Sequence, residues 1–301
     1  MDEPKALLSI LSHVAHGYVG NRACTFPLQY YGWDVDTIHT TDFSNHPGYG
    51  KLTGTKATPH QISQLFQGLR DVVDFSSYKI FIVGYCPNAD VMQTIYNEIA
   101  PALVGSTRPI LVVDPVLGDN GKLYVPEAVV PVHRDFLKLG LVDLTTPNQF
   151  EIELLTNVKI DSWNLVKVAM DTFYLLYRVE NVVILSVEID NSMYSVGYCH
   201  SEPENSRIFR VPIQKIGCLF NGSGDVLTGL LTNEFYANGC RLSPNVLARV
   251  LARLNKILLY SYEDEKRKTG QVPLVVKDVR LISLRKVLDE DFGDEWDATY
   301  M

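Results

Sequence analysis

Short apolar runs alternate with segments of helical length through the first two thirds of the chain. Six of these runs are almost continuous in Val, Ile and Leu, with little alternation of polar and apolar residues. Burial on both faces produces this pattern, so the runs predict strands of a parallel sheet that helices cover. The predicted strands occupy residues 6–11, 35–40, 79–84, 110–114, 141–144 and 182–187.

The segments between these strands have the length of crossover helices, which a parallel pair of strands requires. Two later apolar runs are separated by a polar turn and predict an antiparallel hairpin or edge pair. Two further helices follow, and the second begins at Ser243-Pro244, where Pro suits the first turn. The predicted helices are 20–30, 59–73, 88–101, 162–178, 224–236 and 243–265, and the hairpin joins 193–199 to 207–213 across 202–205.

A single α/β domain is the simplest architecture for these elements, because no linker rich in Gly, Ser or Pro divides residues 1–301. The domain would be doubly wound, with a mostly parallel central sheet, helices on both faces and an antiparallel edge. Ligands bind to such sheets outside the carboxyl ends of the strands. Clustered acids at 289–291 and 294–295 predict a short solvated tail over about 289–301.

Composition and charge argue against several classes of protein. Of the 301 residues, 46% are hydrophobic and 21% charged, which is ordinary for a globular chain. The net charge of -8 argues against a surface for nucleic acid or an anionic membrane, because phosphates would be repelled. No run approaches the roughly 20 apolar residues of a membrane span. The five scattered cysteines, with no signal peptide, predict reduced thiols in an intracellular protein. The expected compartment is the cytosol, with the nucleus as a second.

The motif Asn221-Gly222-Ser223-Gly224-Asp225 carries the strongest local signal, because it opens a predicted helix. Its two glycines let the backbone approach a ligand closely, and the unpaired amides of a first helical turn attract an anion. Asp225 is a candidate base at that place. Read alone, the motif favours a simple helix cap, because such sequences are common.

Acidic and amide side chains follow two other predicted strands. Asp114 and Asp119 flank a Pro- and Gly-containing loop, where two carboxylates beside a phosphate would suit Mg²⁺, although an Asp-Pro turn explains the same residues. Pro147 fits the first turn of the next helix, and Asn148 and Glu151 would face one spot. The alternative there is a well-capped helix with an acid in its first turn.

The loop after the first strand, residues 12–21, is polar and contains glycine. His13 and His16 in this loop are three residues apart and lack a third ligand at helical spacing, which favours a role in loop packing over metal binding.

Together the four strand ends supply amides for an anion, a base and carboxylates for a metal, which are the parts that phosphoryl transfer needs. The chain contains no Gly-x-x-x-x-Gly-Lys-Ser/Thr loop and no protein-kinase motifs, so the P-loop and protein-kinase classes are excluded.

With these motifs the chain closely resembles the pyridoxal kinase family, within the ribokinase-like superfamily. Within that family it most resembles fungal members. The resemblance runs from about residue 7 to about residue 284, with the motifs in family order. It rests on the segments 12–14, 17–21, 25–29, 43–49, 114–119, 124–126, 146–151 and 222–225.

The resemblance implies a function and its cofactors. The enzyme would transfer the γ-phosphate of ATP to the 5′-hydroxyl of pyridoxal, pyridoxine or pyridoxamine, in the salvage of pyridoxal 5′-phosphate. It would use ATP as co-substrate and Mg²⁺ or another divalent cation, with K⁺ as activator. It would form a homodimer, with no nucleic-acid or membrane partner.

The resemblance also implies roles for individual residues. Asp225 would take the hydroxyl proton, and the amides of Gly222 to Gly224 would hold the transferring phosphate. Ser12 would bind the pyridine nitrogen. The other vitamer contacts would be Val19, Phe43, Pro47 and Tyr85. The nucleotide contacts would be Asp114, Asp119, Tyr124, Asn148, Glu151, Ser186, Asn221 and Ser223. The metal contacts would be Asp114, Asp119, Thr146 and Glu151, with Thr146 near the monovalent ion. Segment 119–124 would close over ATP.

The residues expected around the ring depart from the family pattern more than those expected around the phosphates. Pro47 stands where Thr is usual, which removes a hydroxyl and an amide donor. The other departures are Thr41-Asp42 for Val-Gln, Leu52 for Trp, Leu185 for Thr and Asn221 for a smaller or apolar residue. Three hypotheses follow: a pyridoxal kinase with altered vitamer preference, a kinase for a related hydroxymethyl heterocycle such as hydroxymethylpyrimidine, or a weakly active paralogue that binds vitamers or a partner.

Overall fold

A ten-stranded sheet forms the centre of the protein, for which the computed structural model describes residues 5–292 and 298–301. The strands of this sheet and of two small two-stranded sheets are β1 (Lys5–Val14), β2 (Trp33–Phe43), β3 (Gly54–Lys56), β4 (Ile80–Val83), β5 (Ile110–Val113), β6 (Gly118–Asp119), β7 (Lys122–Leu123), β8 (Leu144–Thr145), β9 (Asn181–Ile189), β10 (Ser192–Cys199), β11 (Ile208–Ile213), β12 (Leu219–Phe220), β13 (Val275–Val276) and β14 (Thr299–Tyr300).

The strand order is β14-β11-β10-β9-β8-β5-β4-β1-β2-β3. From β9 to β2 every neighbouring pair is parallel, whereas β3 and the strands β10, β11 and β14 pair antiparallel at the two edges. The predicted α/β architecture, with a mostly parallel sheet and an antiparallel edge, is therefore confirmed.

Helices cover both faces of the sheet. They are α1 (Asn21–Tyr30), α2 (Pro59–Arg70), α3 (Ala89–Ile99), α4 (Val129–Leu137), α5 (Gln149–Thr156), α6 (Trp163–Tyr177), α7 (Ser223–Ala237) and α8 (Pro244–Thr269). In β1, Leu8 and Ile10 join one apolar core with α2 to α6, and Leu7 and Leu11 join a second core with α1, α7 and α8. Two-sided burial explains why the strand reads as a continuous apolar run.

Some local elements differ from their predictions. The strand predicted at 141–144 pairs only over Leu144–Thr145, because the side chain of Asp143 is engaged instead by Arg108 and by the amide of Leu111. Helix α4 was not predicted, since its N-cap residue Ala128 has no capping side chain and its first turn contains Val and Pro. The short strands β3, β6, β7, β12 and β13 were also missed, because two or three residues carry no period.

The acidic residues near the end of the chain contact the domain where they are described. Asp289 accepts a hydrogen bond from the hydroxyl of Tyr30 at 2.6 Å, and Glu290 pairs with Lys256. Strand β14 extends the sheet beside β11. Asp294 and Glu295, which belong to the same predicted tail, lie outside the described residues. In the described part of the chain, no helix is long and apolar enough to cross a membrane.

Candidate active site

A cleft of about 650 Å³ opens at the carboxyl ends of β1, β2 and β5, beside the N-terminus of α7. This is the edge at which doubly wound sheets bind ligands. Residues from each predicted motif line the cleft: Ser12, Val19, Phe43, Pro47, Tyr85, Asp114, Tyr124, Asn148, Glu151, Asn221, Gly222, Ser223, Gly224 and Asp225. Residues up to about 210 positions apart therefore meet in one space, as the strand-end argument requires.

The loop before α7 lines one side of the cleft. Gly222 is the N-cap of the helix and has a φ of 82°, a conformation that glycine adopts without strain. A Cβ atom at this position would overlap the carbonyl oxygen of Tyr18, so close packing also requires glycine. Strands β12 and β13 pair beside the loop, and the amide of Asn221 donates to the carbonyl of Val276 at 3.2 Å. The first amides of α7 thus border the cleft on a fixed backbone.

Asp225 lies in the first turn of α7 and borders the cleft. Burial raises the pKa of its carboxyl group to about 6, while a hydrogen bond from the backbone amide of Gly20 acts in the opposite direction. Gly20 precedes α1, whose first residue, Asn21, donates to the carbonyls of Leu11 and Ile38. Strands β1 and β2 therefore fix the group that orients the Asp225 carboxylate.

Asp114 follows β5 and has only 4% of its surface exposed. Burial, and then the charge of Asp225, raise its pKa to about 7, and hydrogen bonds from Thr228 and Thr146 lower it. The Thr228 hydroxyl donates to Asp114 Oδ2 at 3.1 Å and lies 3.3 Å from the Thr146 hydroxyl. Thr146 is completely buried behind Asp114 and does not border the cleft.

Glu151 and Asn148 form a reciprocal cap at the start of α5. The backbone amide of Asn148 donates to Glu151 Oε2, and the backbone amide of Glu151 donates to Asn148 Oδ1, each at 2.9 Å. Glu151 Oε1 also accepts from the amides of Leu117 and Gly118. Burial and the charge of Asp114 raise the pKa of Glu151 well above its usual range. The expectation that Pro147 lies in the first turn is wrong, because Asn148 is the N-cap and Pro147 precedes it.

Two other predicted residues lie beside the cleft lining. Asp119 is in the β6–β7 hairpin, where its carboxylate accepts hydrogen bonds from Asn120. Ser186 is on β9, next to Leu185, which does line the cleft. The lining residues that were not assigned a role from the sequence are Val14, Thr41, His46, Gly48, Val116, Leu185 and Phe220. Most of them are adjacent in sequence to a residue that was assigned a role, and this adjacency is the feature from which they could have been predicted.

The two histidines of the first loop have separate partners. His13 Nδ1 lies 2.9 Å from Asp42 Oδ1 and its ring stacks on His39, whereas His16 Nε2 lies 3.9 Å from Asp278 Oδ2. Within residues 5–292 and 298–301, no group of three or more His, Cys, Asp or Glu side chains is arranged to hold a metal ion by itself. Asp278 has no motif around it and was missed from the sequence.

The charge balance of the cleft fits a divalent cation that arrives with a phosphate. Asp114, Glu151 and Asp225 all border the cleft, and no Lys or Arg is among the described residues that line it. The raised pKa of each acid reflects burial without a compensating positive charge. Mg²⁺ is commonly bound by one or two carboxylates together with substrate phosphates, which these residues can provide.

Comparison with known proteins identifies the class and then the family. A family model described as phosphomethylpyrimidine kinase matches residues 50–245. With the fold and the cleft described above, this match defines an ATP-dependent kinase of the ribokinase-like superfamily. A putative pyridoxal kinase of Saccharomyces cerevisiae is 38% identical over 299 residues, covering 95% of this chain and 93% of its own. Human pyridoxal kinase is 34% identical over 84% of this chain and 86% of its own.

A solved structure extends the similarity to the whole domain. Pyridoxal kinase from Leishmania donovani in complex with ADP and pyridoxamine superposes with a TM-score of 0.85 at 28% identity, covering 99% of both chains. The chain therefore belongs to the pyridoxal kinase family.

Proposed function

We propose that this protein is a pyridoxal kinase that transfers the γ-phosphate of ATP to the 5′-hydroxyl of pyridoxal, pyridoxine and pyridoxamine. The observation that carries the proposal is a single cleft that joins a carboxylate, an anion loop and an apolar wall. Asp225 and Gly222 lie at one end of the cleft, and Val19, Phe43 and Tyr85 line it as well. The family relatives named above support the same activity, and the product would enter pyridoxal 5′-phosphate salvage.

Asp225 would act mainly by orienting the substrate hydroxyl and then accepting its proton. An aspartate is too weak a base to ionise a primary alcohol beforehand. In a loose transition state the proton can leave late, after much of the bond to the leaving group has weakened. The hydrogen bond from the Gly20 amide would hold the carboxylate in one orientation for this transfer.

The amides of Gly222 to Gly224 would hold the transferring phosphate at the N-terminus of α7, where the helix dipole favours negative charge. Most of the acceleration would come from this positioning and from neutralisation of charge. A divalent cation, when bound, supplies positive charge to the phosphates, and Asp114, Asp119, Asn148 and Glu151 would organise it. Thr146 would lie near an activating K⁺.

The vitamer ring would lie between Val19, Phe43, Pro47 and Tyr85, with Ser12 on its pyridine nitrogen. Ser186, Asn221 and Ser223 would contact the nucleotide. Tyr124, at the end of the β6–β7 hairpin, would close over ATP and exclude water. We further propose a homodimer that works in the cytosol and the nucleus, without nucleic-acid or membrane partners.

A kinase for a hydroxymethylpyrimidine is the second candidate. The matched family model bears the description phosphomethylpyrimidine kinase. Pro47 cannot donate a hydrogen bond to a ring substituent, and a pyrimidine carries different substituents on a ring of the same size, so this loss need not affect it in the same way.

The decisive test is a kinase assay of the purified protein with MgATP across the three vitamers and hydroxymethylpyrimidine, beside Asp225→Ala. We expect phosphorylation of at least one vitamer and a loss of about a hundredfold or more in kcat for the variant. Turnover of hydroxymethylpyrimidine alone would replace the proposal by the second candidate. Vitamer binding without turnover would indicate a binding paralogue, and undiminished activity of Asp225→Ala would contradict the role of Asp225.

A further inference from the structure

The vitamer side of the cleft is built from two loops. The loop at 15–20 follows β1 and carries Val19, and the loop at 44–50 follows β2 and carries His46, Pro47 and Gly48. Main-chain hydrogen bonds join the two loops at their bases, from Ala15 to Phe43 and from His16 to Ser44. Farther out, the Tyr49 hydroxyl lies 3.3 Å from His16 Nε2, so one direct contact joins the outer parts of the loops.

The carboxylate of Asp278 adds contacts to the outer parts of both loops. Its Oδ1 accepts from the amide of Tyr18 at 3.2 Å and lies 3.6 Å from His46 Nε2. Its Oδ2 accepts from the hydroxyl of Tyr49 and lies 3.9 Å from His16 Nε2. The Asp278 side chain is only 13% exposed, so the contacts to both loops form largely out of solvent.

The orientation of His46 points to Asp278 as its partner. The amide of Gly48 donates to His46 Nδ1 at 3.1 Å, so the ring proton is on Nε2. Nε2 is buried without a hydrogen-bond partner at normal distance, and the nearest acid is Asp278. A buried donor left unpaired is costly, so the 3.6 Å approach of Asp278 Oδ1 favours pairing with this Nε2.

The backbone of Asp278 is fixed to helix α8 through Arg280. The guanidinium of Arg280 donates to the Asp278 carbonyl at 2.6 Å, to Asp264 Oδ2 at 2.8 Å and to Glu265 Oε2 at 2.6 Å. The amide of Arg280 donates to the Ser261 hydroxyl at 2.9 Å. Two residues before Asp278, the carbonyl of Val276 accepts from Asn221 in the anion loop. One short segment thus contacts both ends of the cleft.

We propose that Asp278 is a positioning residue for the vitamer: its carboxylate holds the loops at 15–20 and 44–50 at the separation that the ring requires. The inference rests on the proposed function, because it concerns the same cleft. Asp278 touches neither reactant and acts through Val19, His46 and Pro47. Its loss should therefore weaken vitamer binding while leaving the nucleotide and the transfer step almost unchanged.

The test compares Asp278→Asn and Asp278→Ala with the wild-type protein. The measurements are Kd and KM for pyridoxal, kcat, and Kd for ADP. We expect the pyridoxal Kd and KM to rise about tenfold for Asp278→Asn, and further for Asp278→Ala. We expect kcat and the ADP Kd to stay within about twofold, since a group that contributes only to substrate binding changes KM and not kcat.

A matched control is Asp161→Asn, which removes the same charge from an exposed position between α5 and α6 and should leave all four constants unchanged. A second variant tests the loop contact itself. Tyr49→Phe should raise the pyridoxal Kd in the wild-type background and have a smaller effect in Asp278→Ala, where only the contact of the Tyr49 hydroxyl with His16 Nε2, at 3.3 Å, is left to lose.

Three outcomes separate the proposals. An unchanged pyridoxal Kd in both Asp278 variants overturns the positioning role, as does an equal deterioration of kcat and of both substrate affinities. A wild-type protein that binds pyridoxal without phosphorylating it contradicts the proposed function, while the Kd comparison still decides the role of Asp278. A wild-type protein that binds no vitamer overturns both.

Discussion

The carbonyl oxygen of Tyr18 occupies the space that a Cβ atom would need on Gly222. The loop after β1, which borders the vitamer side of the cleft, therefore rests directly on the N-cap of α7, where the phosphate is expected. Gly222 also has a φ of 82°, so both its neighbours and its backbone conformation exclude a larger residue. This contact joins the two halves of the site without an intervening side chain.

Replacing Gly222 by Ala should damage both stability and catalysis. The methyl group would push the anion loop away from Tyr18 and force a strained backbone, at a cost of about 1–3 kcal/mol in the free energy of unfolding. Displaced amides would no longer meet the phosphate, so we expect kcat to fall about a hundredfold or more. Denaturant unfolding and steady-state kinetics measure the two effects.

Gly224→Ala is the control for the stability part. Gly224 lies inside α7, and the nearest atom to an added Cβ would be Leu185 Cδ1 at 3.7 Å, an ordinary contact. We expect its unfolding free energy to be unchanged or raised by up to about 1 kcal/mol, because Ala favours a helix. Equal destabilisation of both variants would contradict the role assigned to the Tyr18 contact.

The buried acid Asp114 should lower the stability of the free protein at neutral and alkaline pH. Its pKa is raised to about 7 by burial and by the charge of Asp225, so the folded state binds a proton that the unfolded state has released. Stability is therefore lost as the pH rises from the unfolded pKa through the folded one. Without divalent cations, Asp114→Asn should be more stable than wild type at pH 8 by about 4 kcal/mol, with the gain vanishing near pH 4.

Thermal unfolding across this pH range tests the prediction, and Asp143→Asn is the comparison. Asp143 also follows an apolar segment, but it accepts two hydrogen bonds from the guanidinium of Arg108, at 2.7 and 2.8 Å. Removing its charge should destabilise the protein at pH 8, because Arg108 loses its partner. A loss of stability in Asp114→Asn at pH 8 would contradict the prediction, because it would show that the folded protein stabilises the negative charge of Asp114.

His133 predicts a pH dependence on the acid side. The ring is 1% exposed, its Nδ1 lies 2.9 Å from the Tyr96 hydroxyl, and burial lowers its pKa to about 3. The unfolded state takes up a proton below about pH 6.5 while the folded state does not, so stability falls as the pH drops through this window. At pH 5 the loss from this residue is about 2 kcal/mol.

His133→Leu should unfold with a shallower dependence on pH between 5 and 7, as measured by denaturant midpoints. His60 is exposed on α2, so His60→Gln should keep the wild-type slope. Parallel curves for His133→Leu and wild type would show that the imidazole titrates similarly in both states.

Pro47 offers a test of vitamer preference. Pro47 borders the cleft at the start of a short 3₁₀ turn that His46 caps. Pro47→Thr would supply the hydroxyl that the family pattern has at this place, and we expect KM for pyridoxal to fall several-fold, since one hydrogen bond contributes about 1 kcal/mol. The variant should lose about 0.4–1 kcal/mol of stability, because proline restricts the unfolded chain.

Pro47→Ala separates these two effects. This variant removes the pyrrolidine ring of proline without adding a hydroxyl, so it should show the loss of stability and no improvement in KM. If Thr and Ala give the same KM for all three vitamers, the hydroxyl at this position does not contact the ring substituents, and the vitamer preference depends on other residues of the wall.

The parallel core and the strand-end motifs that line the cleft were readable from the sequence. Strands such as β4 and β5 are continuous apolar runs because both of their faces are buried. Consecutive residues of such a strand must all be apolar, so the strand can be recognised from a short stretch of sequence. Asn221 to Asp225 were readable for a related reason. A tight anion loop followed by a helix needs glycines and an acid within one turn, so the chemistry is confined to five neighbouring positions.

Tertiary structure alone decided the features that depend on distant partners. Asp278 has no motif around it, yet its carboxylate accepts from Tyr18, which is 260 positions away. The shortened strand β8 and the edge strand β14 likewise follow from contacts across the sheet, to Arg108 and to β11. Periodicity and turn chemistry report on burial and backbone conformation within a few residues. Which side chains meet across the cleft is set by the packing of whole elements, and local sequence carries little of that information.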